Sequence, residues 1–243
     1  MRCNFTSLFL FPLWTSLPSD QSNPPKEITP PHPSIVALCP QKPILAYPCD
    51  LTKGNVCIAK LNEPGAKSAG AGKDVSAEGD SQAYGSYQIL TAHDHPVTCL
   101  AFRKDGQWLA TASSHGTIIR VWETETRKLV MELKRSRVGR EATIKSICFS
   151  DDGTMLVVSS STKTIHIFSI SEDKKNDKAF AFIRLDKEGI TESEHISSFK
   201  SDNKHVQVAF ADGNYRVYRL PPPNSSNQNC ECVNQCKLLE NRK

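Results

Sequence analysis

Residues 93–122, HDHPVTCLAFRKDGQWLATASSHGTIIRVW, and residues 143–168, TIKSICFSDDGTMLVVSSSTKTIHIF, are two copies of one outline: strand, tight turn, strand, hydroxyl-rich turn, strand. The first turn of each copy is an Asp-Gly step, Asp105-Gly106 and Asp152-Gly153, a dipeptide that closes hairpins because glycine enters the left-handed region without steric penalty. The second strand then ends in small hydroxyls, Ser113-Ser114 in one copy and Ser159-Ser160-Ser161 in the other. Between the copies stands a cationic step, Leu133-Lys134-Arg135-Ser136.

Working outward, the same outline recurs on both sides, so that four segments share it: residues 44–61, 97–124, 144–170 and 196–220. Each has a glycine or polar residue just before its last strand: Gly54, Gly116, Lys163 and Gly213. From Gly116 onward these points fall a little under about 50 residues apart, the period of a four-stranded propeller blade. In Ile165-His166-Ile167-Phe168 and Tyr215-Arg216-Val217-Tyr218 polar and apolar residues interleave at period two, which predicts one packed face and one that meets solvent or ligand. The reading is an all-β chain without helices: a WD40-like β-propeller of about four blades over residues 34–220. An extended or disordered segment precedes it at 1–33. A flexible Gly/Ala-rich insertion interrupts it at 62–86, and a loose tail follows at 221–243.

Composition limits the function. At 38% hydrophobic and 23% charged over 243 residues the chain is ordinary globular material, and its net charge of +4, without a long Lys/Arg run, gives no case for nucleic acid. Residues 8–17 are apolar but broken by Pro12, too short to span a bilayer, and lack the small-residue cleavage pattern of a secretory signal. Nine cysteines, odd in number and scattered, read as reduced thiols rather than a disulfide framework, which points to a reducing compartment. Cys230, Cys232 and Cys236 lack the second half of a zinc motif, so no metal is expected. No cofactor is implied. Asp105, Asp151 and Asp152 are turn residues and no Gly-rich phosphate loop opens a helix, so catalysis is not expected.

What remains is anion chemistry. Guanidinium, ammonium and imidazole groups beside hydroxyl turns are the donors that a phosphate monoester takes. Lys134 and Arg135, adjacent in a strand, project to opposite sides and so reach two neighbouring notches.

These residues carry a family resemblance. The sequence TAHDHP, then ATASSHGTIIRV, the basic pair, and SSSTKTIHIF resembles the PROPPINs, seven-bladed phosphoinositide-binding WD-repeat propellers of autophagy. LAYP at 45–48, AFAFIRL at 179–185 and ADGNYRVY at 211–218 resemble the WIPI-type members. The resemblance implies a first notch formed by His93, Ser113, Gly116, Thr117, Arg120 and one member of the basic pair. It implies a second formed by the other member with Ser160, Thr164 and His166. Hydroxyls would donate, Gly116 would allow close backbone approach, and the histidines would charge against the anion. The implied partners are membranes carrying phosphatidylinositol 3-phosphate or 3,5-bisphosphate, and autophagy proteins. The implied location is cytoplasmic, peripherally on phagophore or endosomal membranes. A WD-repeat interaction scaffold without lipid binding is the alternative. Each histidine and hydroxyl also has a structural reading, as a turn or packing residue.

Three departures from the family pattern carry expectations. Lys134 and Ser136 replace an arginine and a glycine of the usual basic motif, and loss of the bidentate fork should weaken one site by about 1 kcal/mol or more. The segment from Ser169 to Lys178, where relatives carry a long membrane-dipping loop, is short and charged, which argues against stable insertion. Four blades where the family has seven suggest an N-terminally truncated propeller.

Overall fold

The computed structural model describes residues 35–61, 86–135, 140–171, 177–190, 194–222 and 225–237. They form four antiparallel four-stranded sheets, each a simple meander in chain order. The first blade comprises β1 (Ala37–Leu38), β2 (Ile44–Pro48), β3 (Gly54–Lys60) and β4 (Tyr87–His93). The second comprises β5 (Val97–Phe102), β6 (Trp108–Ser113), β7 (Ile118–Glu123) and β8 (Leu129–Lys134). The third comprises β9 (Ile144–Phe149), β10 (Met155–Ser160), β11 (Thr164–Ser169) and β12 (Ala181–Arg184). The fourth comprises β13 (His195–Phe199), β14 (His205–Phe210), β15 (Asn214–Arg219) and β16 (Glu231–Lys237). One 3₁₀ turn, Leu185–Glu188, follows β12.

The first strand of each blade packs against the first strand of the next, β1 on β5, β5 on β9 and β9 on β13, so these four strands are the inner ones of a partial propeller. They border an open channel of about 510 Å³ that Leu100, Ser146, Ile147, Ser197 and Tyr215 help to line. Stability lies between the blades. Ala46, Val56, Ile58 and Leu90 pack on Leu100, Phe102, Leu109 and Trp122. Ala110, Ile119, Val121 and Leu133 pack on Ile147, Leu156, Val158 and Phe168. Val157, Ile165, Ile167 and Ile183 pack on Val206, Val208, Phe210 and Tyr218. Alternate residues of one strand therefore enter different cores, as Val157 and Val158 do, and the middle blades are apolar on both faces.

Two expectations from the sequence are corrected by this packing. The interleaving at 165–168 does not leave a solvent face: β11 is buried at Ile165, His166, Ile167 and Phe168, because neighbouring blades cover both sides of its sheet. The fourth blade does not stop at residue 220. Glu231–Lys237 pairs antiparallel with β15, Tyr218 opposite Cys232 and Tyr215 opposite Cys236, so part of the region read as a loose tail is the blade's outer strand. Residues 1–33 and, apart from Ser86, the expected insertion at 62–86 lie outside the described residues. Ser86 itself accepts a backbone hydrogen bond from Lys60 at 2.9 Å and leads into β4.

Candidate functional site

The Asp-Gly turns and the hydroxyl turns lie at opposite ends of each blade, since one follows the first strand and the other the second. The hydroxyl turn of the second blade, 113–117, and that of the third, 160–164, thus share one end with the close of β4 and of β8. This geometry gathers the expected residues. Gly116, at φ 57°, is the point of closest approach: a Cβ there would collide with the carbonyl oxygen of Ala142 in the next blade. The approach Gly116 permits is to a neighbouring strand's backbone, and it sets the seam between the second and third blades.

Arg135 sits on that seam. Its amide donates to the Thr117 carbonyl at 3.0 Å, its Nε donates to the Gly116 carbonyl at 2.6 Å, and one terminal NH₂ group donates to the Arg140 carbonyl. The side chain is buried, which lowers its pKa without discharging a guanidinium. Among the described residues these carbonyls take two of the five guanidinium N–H groups.

His166 belongs to the same seam. It is 8% exposed, its ring lies edge-on to Phe182 at 5.4 Å between centroids, and its Nδ1 is shut off from solvent. Burial, then the positive charge of Arg135, lowers its pKa to about 4, with Arg184 adding to the effect. The imidazole is therefore neutral near pH 7, which corrects the expectation of a histidine ready to charge. Thr164 opens β11 opposite Arg184 of β12, and Ser160 is fully buried with its hydroxyl 2.8 Å from that of Thr162. Arg184, absent from the sequence-based set, thus joins Arg135, Thr164 and His166. Its place opposite the TIHIF strand, as the penultimate residue of AFAFIRL, is legible only once the register of β11 and β12 is known.

The other notch is arranged differently. His93 is turned inward: its Nε2 lies 2.8 Å from the Thr111 hydroxyl, which also accepts the Trp122 indole N–H at 3.0 Å. Burial and the Arg120 charge lower the His93 pKa to about 4. This is the structural reading of a histidine before a blade, and it locks β4 of the first blade to β6 and β7 of the second. Arg120 donates to the Ala92 carbonyl at 2.8 Å and through Nε to Glu132 at 2.8 Å. Ser113 is buried at the end of β6 and Thr117 is half-buried in the turn after it. Lys134 points to solvent and holds Asp177 at 2.7 Å. The two members of the basic pair thus end in different surroundings, one exposed beside a carboxylate, the other buried on carbonyls. Glu132 and Asp177 were not anticipated, because neither carboxylate is adjacent in sequence to the cation it meets.

Comparison with known proteins places this geometry. The PROPPIN family profile matches residues 35–211. The chain belongs to the PROPPIN family. Among curated relatives, Autophagy-related protein 18 of Schizosaccharomyces pombe is 38% identical, covering 54% of this chain and 45% of its own length. WD repeat domain phosphoinositide-interacting protein 2 of Gallus gallus is 42% identical over 87 residues, 36% of this chain and 20% of the relative. The chain therefore spans less than half the length of these curated relatives. Among solved structures, Kluyveromyces lactis Hsv2 superposes with a TM-score of 0.66 at 17% identity, covering 85% of this chain and 62% of the other. A complex of Kluyveromyces lactis Atg21 with the coiled coil of Atg16 superposes with a TM-score of 0.54 at 21% identity. At these identities the structural matches establish a shared propeller fold. Among the described residues, no helix is long and apolar enough to cross a membrane, and no three His, Cys, Asp or Glu side chains converge as metal ligands.

Proposed function

We propose that this PROPPIN chain is a peripheral membrane adaptor of autophagosome formation that binds the headgroup of phosphatidylinositol 3-phosphate or 3,5-bisphosphate, and that it carries no catalytic activity. One observation carries the reading: two guanidinium groups, Arg135 and Arg184, act on the same imidazole, His166, beside Thr164 at the end of a hydroxyl turn. Arg135 would supply guanidinium N–H groups, Arg184 charge and Thr164 a hydroxyl, with His166 packed behind them. Ser113, Gly116, Thr117, Arg120 and Lys134 would form the other notch, with His93 and Ser160 bracing the turns from behind. Two weak sites on one membrane act together, so avidity converts modest single-site affinity into retention on a bilayer. The names of the curated relatives, Autophagy-related protein 18 and WD repeat domain phosphoinositide-interacting protein 2, support both the lipid class and the autophagy setting.

Co-flotation of the full chain with vesicles containing about 5% phosphatidylinositol 3-phosphate, against vesicles with unphosphorylated phosphatidylinositol, tests the reading. Retention should require the phosphate and fall at least about tenfold in a Lys134→Ala/Arg135→Ala variant. Because Arg135 also ties down two carbonyls, Thr164→Val serves as a second variant that spares them. Equal retention of all proteins on both vesicles, or none by the parent chain, would favour the scaffold alternative.

A further inference from the structure

We infer that the two notches are electrostatically unequal, and that Asp177 is the specificity-determining residue that holds the Lys134 notch in a self-neutralised, weakly binding state. The inference rests on the phosphoinositide reading above and extends it to how the headgroup is shared between the notches.

The contact between Lys134 and Asp177 is built into the backbone. Besides the 2.7 Å ion pair, the Lys134 amide donates to the Asp177 carbonyl at 2.7 Å, and Lys134 forms a parallel bridge with Lys178. An exposed ion pair is ordinarily weak because two long side chains lose freedom to meet. Here the chain segments are already joined, so much of that ordering is done before the charges pair. In agreement, the hydrogen bond from Lys134 lowers the Asp177 pKa and the contact raises that of Lys134.

Arg120, the other cation of that notch, is likewise matched, by Glu132 at 2.8 Å. Two cations face two carboxylates. An entering phosphate must displace a carboxylate from Lys134 or add its charge beside one. Among the described residues the notch at Arg135 shows no such competitor: Arg135 contacts carbonyl oxygens, and the charges acting on His166 there are those of Arg135 and Arg184. One headgroup is therefore taken first and more firmly at the Arg135, Thr164 and His166 notch. The Lys134 notch contributes only after Asp177 gives way.

The test is a titration of the full chain with soluble dioctanoyl phosphatidylinositol 3-phosphate, followed by calorimetry, for the parent, Asp177→Asn, Lys134→Ala/Asp177→Asn and Asp151→Asn. Asp151 pairs with Lys104 at 2.8 Å at the opposite end of the blades, so Asp151→Asn removes the same charge without touching the notch. Asp177→Asn should tighten the weaker binding event about two- to fivefold, Asp151→Asn should leave it unchanged, and the gain should vanish when Lys134 is also removed. No gain, or an equal gain from Asp151→Asn, overturns the role of Asp177 while leaving lipid binding intact. Absence of binding in every protein overturns the lipid reading and this inference with it.

Discussion

His93 and His166 are both buried and both hold a proton less readily than a histidine in water, with pKa values of about 4. Their pH signature follows from the sign of that shift. Between the unfolded value of about 6.5 and the folded value, the unfolded chain binds a proton that the folded chain refuses, so acidification favours unfolding. Stability should be flat above about pH 6.5 and fall toward pH 4, by roughly 3 kcal/mol per histidine at the lower limit. Urea unfolding across that range measures it. Replacing either residue with Gln should flatten the slope, and an acid-insensitive parent would contradict the assignment. Thr111 offers a second residue-scale prediction, because its hydroxyl serves both His93 and the Trp122 indole. Thr111→Val should lower stability by about 2 kcal/mol in thermal or urea unfolding, leaving the buried Trp122 indole N–H and the His93 Nε2 unmatched, while headgroup affinity of the folded protein stays unchanged. The sequence could name His93 and His166 but not their roles. A histidine flanked by isoleucines looks identical whether its strand faces solvent or a neighbouring blade, and only the stacking of sheets decides between them.

Strands with an internal signal were legible, and strands defined by their partners were not. The middle strands β6, β7, β10 and β11 announce themselves through Asp-Gly turns, hydroxyl turns and unbroken apolar runs. β16 lacks such a signal: Glu231–Lys237 carries one valine among polar residues and thiols and is almost wholly exposed. It forms because β15 presents an open edge of N–H and C=O groups that a following segment can pair. The two-residue β1 escaped notice for the same reason. A chain ending at Leu220 should therefore keep the first three blades but lose protection of β15. Hydrogen exchange should then speed at residues 214–219 while residues 155–160, in β10, stay protected. Unchanged exchange at 214–219 would show that β16 adds nothing to the blade.

At the scale of the molecule, three inter-blade cores hold the turns of adjacent blades in register, and that register sets the two proposed notches side by side. The fold and the basic pair were readable from repeats and motifs. The carboxylates Glu132 and Asp177 and the further cation Arg184 were not, since each reaches the site through pairing between strands or between blades. The most direct test of the central claim maps where a headgroup touches the chain. Backbone amide shifts of the ¹⁵N-labelled protein should move, during titration with dioctanoyl phosphatidylinositol 3-phosphate, first at Arg135, Thr164, His166 and Arg184, and at higher ligand at Thr117 and Lys134. Shifts confined to the channel strands around Ser146 and Ser197, or none at the seam of the second and third blades, would contradict it.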